Sequence, residues 1–435
     1  MNLKNISGAQ TLVIIFVCTS FLTRFSLPLN LVFIFFIIYC TIYLLFNFAT
    51  KNRSNKSSLI VVLHYLILCY LLVVFLMSKF VNLNLNSLPH FWDGQSVLVL
   101  VSVLMAHIVV LKTPNNHIVS TLEFIKNISY FMILESIIFF TIPDSLNIFR
   151  SDFEAGYRFV SLLTPGYSFT GLFIVLGYTI HLHLGSLKSK QKIFLIFLFF
   201  GFAIIQTKDR ASILTFMLIN LFVLYKSSSS KDLFLSFFKK ITFVVKLILM
   251  LSIIYFSMTS FVDRKNILSI TSPMDRYMLF VRGLSITKEI LPIGAGPGSQ
   301  VRLMYNSAIP FDEEIYNIAF MGESVNDVID SFKDDSRKRM ASNLTMSPHN
   351  TYLDYTISLG VVGILISLFI LFVQFKSFFL LMINRGGGAY FLEAMFASSF
   401  IILMNLSFIN SMWLFIIMYR AYKINDLQSN KLYES

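Results

Sequence analysis

The sequence predicts an all-α, polytopic membrane protein of about 12 transmembrane helices, with one large loop between spans 9 and 10. Of the 435 residues 56% are apolar and only 13% are charged, whereas a typical soluble domain is about 25% charged. The mean hydropathy is +0.73, and apolar runs of about 20 residues, the length that crosses a bilayer, repeat along the chain. These features exclude an ordinary soluble enzyme.

The predicted spans divide the chain into three regions. Residues 1–262 hold spans 1 to 9, residues 263–349 form the loop, and residues 350–435 hold spans 10 to 12 with a tail. Each span is predicted from an apolar run bounded by polar residues. Such a pattern locates the ends of a helix only to within several residues. The spans are predicted near residues 9–27, 29–49, 58–80, 95–112, 119–142, 159–183, 193–207, 211–226, 241–262, 350–375, 389–407 and 409–422.

Basic residues fix the predicted orientation of these spans. Lys and Arg concentrate in the short segments on one side, as in Lys188–Lys192 and Lys239–Lys240, and are sparse in the short segments on the other side. Because cytoplasmic loops carry the excess of Lys and Arg, both termini are predicted in the cytoplasm and the large loop outside. The net charge of +12 is thus scattered between apolar runs, unlike the clustered basic surface of a nucleic-acid-binding protein.

The large loop carries nearly half of the acidic residues. A structureless loop of this length is improbable, so we expect a polar, water-facing cap with short helices, one of them near Ile286–Ile293, lying over the membrane. Its acidic runs include Asp312–Glu314 and Asp334–Asp335. Neighbouring basic residues such as Arg337 favour solvated charge pairs over a Ca²⁺ or Mg²⁺ site. We therefore predict no metal and no cofactor.

The first candidate site is the junction between predicted spans 7 and 8, which carries Lys208, Asp209 and Arg210. Both spans are about 15 residues, or about 22 Å of helix, which is shorter than the hydrocarbon core. The junction is therefore expected to lie below the outer surface, where charges are costly and usually functional. The alternative is a tight surface hairpin with solvated charges.

The second candidate site combines arginines with a glycine-rich turn in the loop. Arg276 and Arg282 are spaced to hold two sides of one anion, because guanidinium groups bind phosphate in a bidentate manner. The turn Gly294–Gly298 allows a close backbone approach and is expected to offer N–H groups to an oxyanion, although a plain bend is equally consistent. Arg158 precedes Pro165–Gly166 of predicted span 6, which suits either a pocket wall or a simple kink.

The third candidate site is His349 at the start of predicted span 10. Of the seven histidines, it alone lies where the long outer loop meets the start of a helix. A helix N-terminus disfavours the imidazolium form, so His349 is expected to be neutral and able to accept a proton. The alternative explanation of this stretch is structural, since Ser347 or Asn350 is a suitable helix cap.

Together these motifs resemble the O-antigen polymerase and ligase family. The most specific part of the resemblance is Pro348–Leu353 after a long outer loop, and the likeness extends over roughly residues 195–375. The other matching positions are Arg276, the Gly294–Gly298 turn, Gly360 and Gly363 in span 10, and Lys208–Ser212 before span 8.

The resemblance implies a glycosyltransferase that acts at the periplasmic face of the bacterial inner membrane on undecaprenyl-diphosphate-linked oligosaccharides. At the matching positions, His349 is the implied general base, and Arg210 and Arg276 are the implied diphosphate-binding residues. Further candidates for substrate binding are Arg158, which is a looser match, Arg282, which follows from its spacing, and Lys208, Asn350 and Tyr352.

The implied chemistry agrees with these residue types. Negative charge grows on a diphosphate leaving group in the transition state, so cations placed beside it accelerate its departure, and several arginines replace a metal. Attack by a sugar hydroxyl opposite the diphosphate is expected to invert the anomeric carbon. The implied partners are the bilayer, the lipid-linked oligosaccharide and a chain-length regulator protein, with no nucleic acid.

Two activities fit this family. A polymerase joins one lipid-linked repeat unit to another, whereas a ligase delivers the finished chain to lipid A-core. We favour the O-antigen polymerase because the His349 element has no additional nearby histidine; a capsule or exopolysaccharide polymerase would look the same. A flippase or another transporter would also bind a diphosphate through arginines, but it requires cations throughout the bundle. A structural scaffold would leave the Lys208–Arg210 junction unexplained.

Overall fold

The protein is helical wherever its structure is described. The computed structural model of the chain describes residues 7–22, 30–49, 59–80, 94–142, 158–184, 190–227, 350–383, 390–405 and 412–433, and part of 280–296. Every regular element within these residues is a helix, and none is a strand. The all-α class is therefore confirmed for this part of the chain, whereas predicted span 9 and most of the loop lie outside the described residues.

Eight of the described helices precede the loop and four follow it. We number them in chain order. Their bounds are α1 Gly8–Leu22, α2 Asn30–Ala49, α3 Leu59–Phe80, α4 Gly94–Lys112, α5 Asn115–Thr141, α6 Tyr167–Leu184, α7 Lys190–Thr207, α8 Arg210–Ser227, α9 Thr351–Leu359, α10 Val361–Ile383, α11 Tyr390–Asn405 and α12 Met412–Tyr433.

Several of these helices suit insertion into a membrane. In the described residues, three stretches are long and apolar enough to cross one, namely Asn115–Thr141, Tyr167–Leu184 and Val361–Leu381, and shorter apolar helices of 10–17 residues accompany them. Large apolar side chains also face outward, among them Phe46 at 68% exposure and Phe372 at 64%, as expected for faces that contact lipid. The number of twelve spans remains a prediction.

Aromatic packing holds the first and last helices of the bundle together. Trp413 of α12 is fully buried, and its ring meets Phe16 of α1 and Phe36 of α2 edge-on at centroid distances of 5.8 and 5.7 Å. Phe16 in turn stacks on Phe173 of α6 at 5.6 Å. Such aromatic pairs add about 0.5–1.5 kcal/mol each beyond the burial of their area. Helix α6 is thereby fixed in the centre of the bundle.

A serine and a glycine bring α5 and α6 unusually close. The hydroxyl of Ser129 donates to the carbonyl of Phe173 at 3.0 Å, and a Cβ added at Gly177 would lie only 1.8 Å from Ser129 Oγ. Small residues allow such close helix contacts in membranes, where packing rather than the hydrophobic effect drives helix association. Helices α5 and α6 also both contact the non-helical residues 158–162.

Predicted span 10 is two helices and not one. Gly360 separates α9 from α10 and has a φ of 59°, which glycine adopts without the steric cost of a Cβ. The hydroxyl of Ser367 donates to the carbonyl of Tyr352 at 3.0 Å, although a continuous helix would hold these residues about 22 Å apart. Helix α9 therefore folds back antiparallel on α10, and the prediction of one helix over 350–375 is wrong.

The start of predicted span 6 is also corrected. Residues 158–166 are not helical and α6 begins at Tyr167, whereas the apolar pattern predicted a span from residue 159. Proline disfavours helical geometry in the residue before it, so Pro165 keeps this stretch out of the helix. The N–H of Thr170 donates to the carbonyl of Gly166 at 3.0 Å. Pro165 and Gly166 thus precede α6, so they do not kink this helix, and the alternative of a pocket wall stays a prediction.

The described part of 280–296 packs against helices. The N–H of Val361 donates to the carbonyl of Pro292 at 2.9 Å, and the hydroxyl of Tyr70 in α3 donates to the carbonyl of Ile293 at 3.0 Å. These contacts satisfy both backbone carbonyls within the protein. Residues 286–288 and 290 are helical, in agreement with the short helix expected near Ile286–Ile293, while its position over the membrane stays a prediction.

Candidate functional site

A non-helical segment and a helix junction meet at one end of the bundle. Residues 158–166 precede α6, and the junction 206–210 consists of the end of α7, the two non-helical residues 208 and 209, and the start of α8. The N–H of Phe159 donates to the carbonyl of Gln206 at 2.7 Å, so Arg158 lies close in sequence to a contact with the junction that carries two further predicted cations, Lys208 and Arg210. We call these two segments together the arginine end.

Helices α5 and α6 both contact the segment 158–166. Glu135 of α5 is only 3% exposed; one of its carboxylate oxygens accepts the hydroxyl of Ser161 and the other accepts the N–H of Leu162 at 3.3 Å. The guanidinium carbon of Arg158 lies 4.4 Å from the ring centroid of Tyr167 in α6, a distance at which the ring attracts the cation. The position of Arg158 is therefore supported by two helices.

The junction 206–210 turns its acidic residue inward and its basic residues outward. Asp209 is 4% exposed, and its Oδ2 accepts the N–H of Ser212 at 3.1 Å and the Ser212 hydroxyl. Asp209 is thus the N-cap of α8. Lys208 is half-buried and Arg210 is exposed. Both candidates are accessible from outside the bundle, while the depth of the junction in a bilayer remains a prediction.

A glycine allows α6 to approach this cap. A Cβ added at Gly171 would lie 2.4 Å from Ser212 Oγ and 3.3 Å from Asp209 Oδ2, so a larger side chain would push α6 away from the first turn of α8. Since α6 also carries Tyr167, this close contact sets the spacing between Arg158 and the junction.

The start of α9 is buried, and its cap and first tyrosine are hydrogen-bonded within the protein. Asn350 is the N-cap of α9, and its side-chain oxygen accepts the N–H of Tyr352 at 3.0 Å. The Tyr352 hydroxyl donates to Gln374 Oε1 at 2.6 Å, and Gln374 Nε2 donates to Ser399 Oγ at 2.9 Å. The structural explanation of Asn350 is therefore confirmed, and substrate binding by Asn350 and Tyr352 stays a prediction.

Helices α8 and α9 contact the same turn of α11. Thr215, one turn into α8, donates through its hydroxyl to the carbonyl of Ser398 at 3.5 Å. The ring of Tyr352, in the first turn of α9, lies 6.2 Å from that of Phe400. The second turn of α8, which begins at Arg210, and the first turn of α9, which follows His349 in the sequence, thus both contact residues 398–400.

The glycine-rich turn has a packing role. The N–H of Gly294 donates to the carbonyl of Ile290 at 3.0 Å, and the N–H of Gly296 donates to the carbonyl of Ser358 at 3.1 Å. A Cβ added at Gly294 would lie 2.4 Å from the backbone nitrogen of Gly360. The turn therefore closes on the tip of the α9–α10 hairpin, and the expected offer of these two N–H groups to an oxyanion is wrong.

Three predicted site residues, His349, Arg276 and Arg282, lie outside the described residues, as do the acidic runs of the loop. Within the described stretches, no group of three or more His, Cys, Asp or Glu side chains is placed to bind a metal ion. The chain matches no protein-family model, no characterised protein and no solved structure. The case for a function therefore depends on the residues and geometry of this chain.

Sequence reasoning did not identify two residues that build the arginine end. Glu135 was visible only as an acidic residue within an apolar run, and Gly171 as an ordinary glycine in a helix. A carboxylate inside a predicted span is costly and usually functional, so Glu135 carried a signal. For Gly171 no signal exists in a single sequence, because its importance comes from the neighbouring helix.

Proposed function

We propose that the protein is a glycosyltransferase of the O-antigen polymerase type. It joins undecaprenyl-diphosphate-linked repeat units at the periplasmic face of the bacterial inner membrane, with both termini in the cytoplasm and the arginine end facing the periplasm. The donor is one lipid-linked oligosaccharide, and the acceptor is a hydroxyl of a second one.

One observation carries this proposal. The bond between Phe159 and Gln206 joins Arg158 to the Lys208–Arg210 junction, so cations from separate parts of the chain share one end of a bundle suited to a membrane. A lipid diphosphate requires such clustered cations at the membrane surface, because guanidinium groups bind its oxygens in a bidentate manner. The shared contact of α8 and α9 with α11 supports a site that includes His349.

In the proposed reaction, Arg158, Arg210 and Arg276 bind the donor diphosphate. The acceptor oxygen attacks the anomeric carbon of the donor sugar, and the bond from this carbon to the phosphate oxygen breaks. His349 takes the proton of the acceptor hydroxyl as general base. Undecaprenyl diphosphate leaves with the bonding electron pair, its growing charge stabilised by the arginines. The anomeric configuration is inverted.

The product made by the purified protein tests this proposal. We expect protein in lipid nanodiscs, given a lipid-linked repeat unit, to make longer lipid-linked chains both with and without lipid A-core. The variant His349→Ala should insert normally and make none. EDTA should have no effect, because the arginines replace a metal.

Each other outcome points to a different function. Transfer to lipid A-core, with no chain growth in its absence, would indicate a ligase. No covalent product, together with movement of the lipid-linked unit across the bilayer, would indicate a transporter. Normal chains from His349→Ala would contradict the general-base role.

A further inference from the structure

Glu135 is a buried carboxylate beneath the arginine end. It belongs to α5, yet its partners include Ser161 and Leu162 of the non-helical segment before α6. A buried carboxylate within an apolar bundle is retained only where specific hydrogen bonds compensate for its lost hydration. An exposed loop needs no such support, so the position of Glu135 indicates that the conformation of residues 158–166 matters.

Ser161 connects this carboxylate to the rest of the segment. Its hydroxyl donates to Glu135 and accepts the N–H of Leu163 at 3.1 Å, while its own N–H donates to the hydroxyl of Thr170 in α6 at 3.1 Å. A single residue thus links α5, the segment and α6. Removing the Glu135 carboxylate would remove the hydrogen bond that ties Ser161 to α5.

The contact of Glu135 with Ser161 affects Arg158 through the short stretch of backbone between Arg158 and Ser161. Phe159 is bonded to Gln206, and Ser161 to Glu135, so the chain that follows Arg158 is fixed at two points, one on α7 and one on α5. The guanidinium itself lies on the ring of Tyr167. The position of the Arg158 backbone relative to the Lys208–Arg210 junction therefore depends on both fixed points.

We infer that Glu135 is a positioning residue for donor binding, which holds residues 158–166 so that Arg158 and the Lys208–Arg210 junction bind one diphosphate together. This inference rests on the proposed function. Glu135 contacts the segment and not the donor, so its removal weakens donor binding and leaves the general base in place. It acts through its two accepted hydrogen bonds and not through its charge.

Two substitutions separate the hydrogen bonds from the charge. In Glu135→Gln, the amide oxygen still accepts the N–H of Leu162, and the amide nitrogen donates to Ser161 Oγ. In Glu135→Leu, both contacts are lost at similar volume. Ser136→Ala is the matched control, because Ser136 is the next residue in α5, is equally buried, and bonds only to the carbonyl of Ile133 in its own helix among the contacts described here.

The experiment measures chain growth and donor binding in nanodiscs. We expect Glu135→Leu to raise the KM for the lipid-linked repeat unit at least tenfold with a smaller change in kcat, Glu135→Gln to recover most of this loss, and Ser136→Ala to behave as wild type. Hydrogen exchange of the peptide covering residues 158–166 should quicken in Glu135→Leu alone. The Kd for undecaprenyl diphosphate should rise in parallel with the KM.

Three results would overturn the inference. If Glu135→Gln is as impaired as Glu135→Leu, the charge and not the geometry matters. If Glu135→Leu keeps a normal KM, or if its hydrogen exchange is unchanged, Glu135 does not position the segment. If the wild-type protein itself binds no undecaprenyl diphosphate, the proposed function fails and the inference fails with it. This outcome differs from the failures above, in which the wild-type protein binds undecaprenyl diphosphate normally.

Discussion

At the scale of single residues, the junction between α7 and α8 places opposite charges in different environments. Asp209 is buried as a helix cap, whereas the neighbouring Lys208 has a φ of 50°, a left-handed conformation that costs a residue with a Cβ about 1–2 kcal/mol. Such outliers cluster at functional sites, where the surrounding structure maintains them. The turn therefore fixes the direction in which Lys208 and Arg210 leave the backbone.

Replacement of Lys208 separates its backbone strain from its charge. We expect the free energy of unfolding of Lys208→Gly to exceed that of Lys208→Ala by about 1 kcal/mol, because glycine adopts a positive φ freely while its larger loss of backbone entropy on folding offsets part of the relieved strain. Both variants lack the cation and should lose about tenfold in kcat/KM, a loss typical of one charge-assisted hydrogen bond. Thermal unfolding in nanodiscs and steady-state kinetics measure the two effects. A Gly variant less stable than the Ala variant would show that the turn is not strained.

At the scale of elements, the α9–α10 hairpin brings the start of α9 into the bundle. Without the break at Gly360, the residues after His349 would continue along one straight span. Instead, α9 lies along α10, and its N-terminus reaches the turn of α11 that α8 also contacts. The close contact of α9 with α10 requires glycine at position 363, where an added Cβ would lie 1.9 Å from the carbonyl oxygen of Tyr355.

A methyl group at this contact should separate the two helices. We expect Gly363→Ala to lower the free energy of unfolding by about 2–3 kcal/mol, since overpacking against a backbone carbonyl cannot be relieved by side-chain rotation. Gly166→Ala is the control, because an added Cβ there meets no atom within 4 Å. Denaturant or thermal unfolding of both variants measures the difference. Equal stability of the two variants would contradict the hairpin.

At the scale of the whole molecule, the sequence predicted the helical class and named Arg158, Lys208 and Arg210 as candidates, but it did not predict how the helices fold back. Apolar runs predict the existence of helices because lipid requires every backbone group to be bonded internally. The break at Gly360 was hidden because it lies within a continuous apolar run, whereas Pro165 and Gly166 indicated a disturbance of span 6 but not that the helix begins only after them. The meeting of Arg158 with the α7–α8 junction depends on packing between distant segments, which one sequence does not reveal.

An arginine at the opposite end of the bundle ties the last helix to the first half of the chain. Arg420 of α12 donates to the carbonyls of Leu111 and Thr113 and to Asn115 Oδ1, the last two at 2.9 and 2.8 Å. Cations near the C-terminus of a helix bind its unpaired carbonyls, so Arg420 closes α4 and fixes the turn to α5.

Loss of this contact should destabilise the fold without affecting donor binding. We expect Arg420→Met to lower the free energy of unfolding by about 2 kcal/mol, as for other hydrogen bonds to charged groups, with an unchanged KM. Lys423→Met is the control, because Lys423 lies 5.9 Å from the ring centroid of Tyr419 and should contribute less than about 0.5 kcal/mol. Thermal unfolding of the two variants makes the comparison, and equal losses would rule out the role of Arg420.

The central claim is that His349 and the arginine end form one site. Cross-linking tests it most directly, in a protein whose three native cysteines are replaced. We predict that a short bis-maleimide joins the pair His349→Cys and Arg210→Cys with a yield similar to that of Phe159→Cys and Gln206→Cys, whose backbones are bonded at 2.7 Å. Efficient cross-linking of the second pair with none of the first would contradict the account.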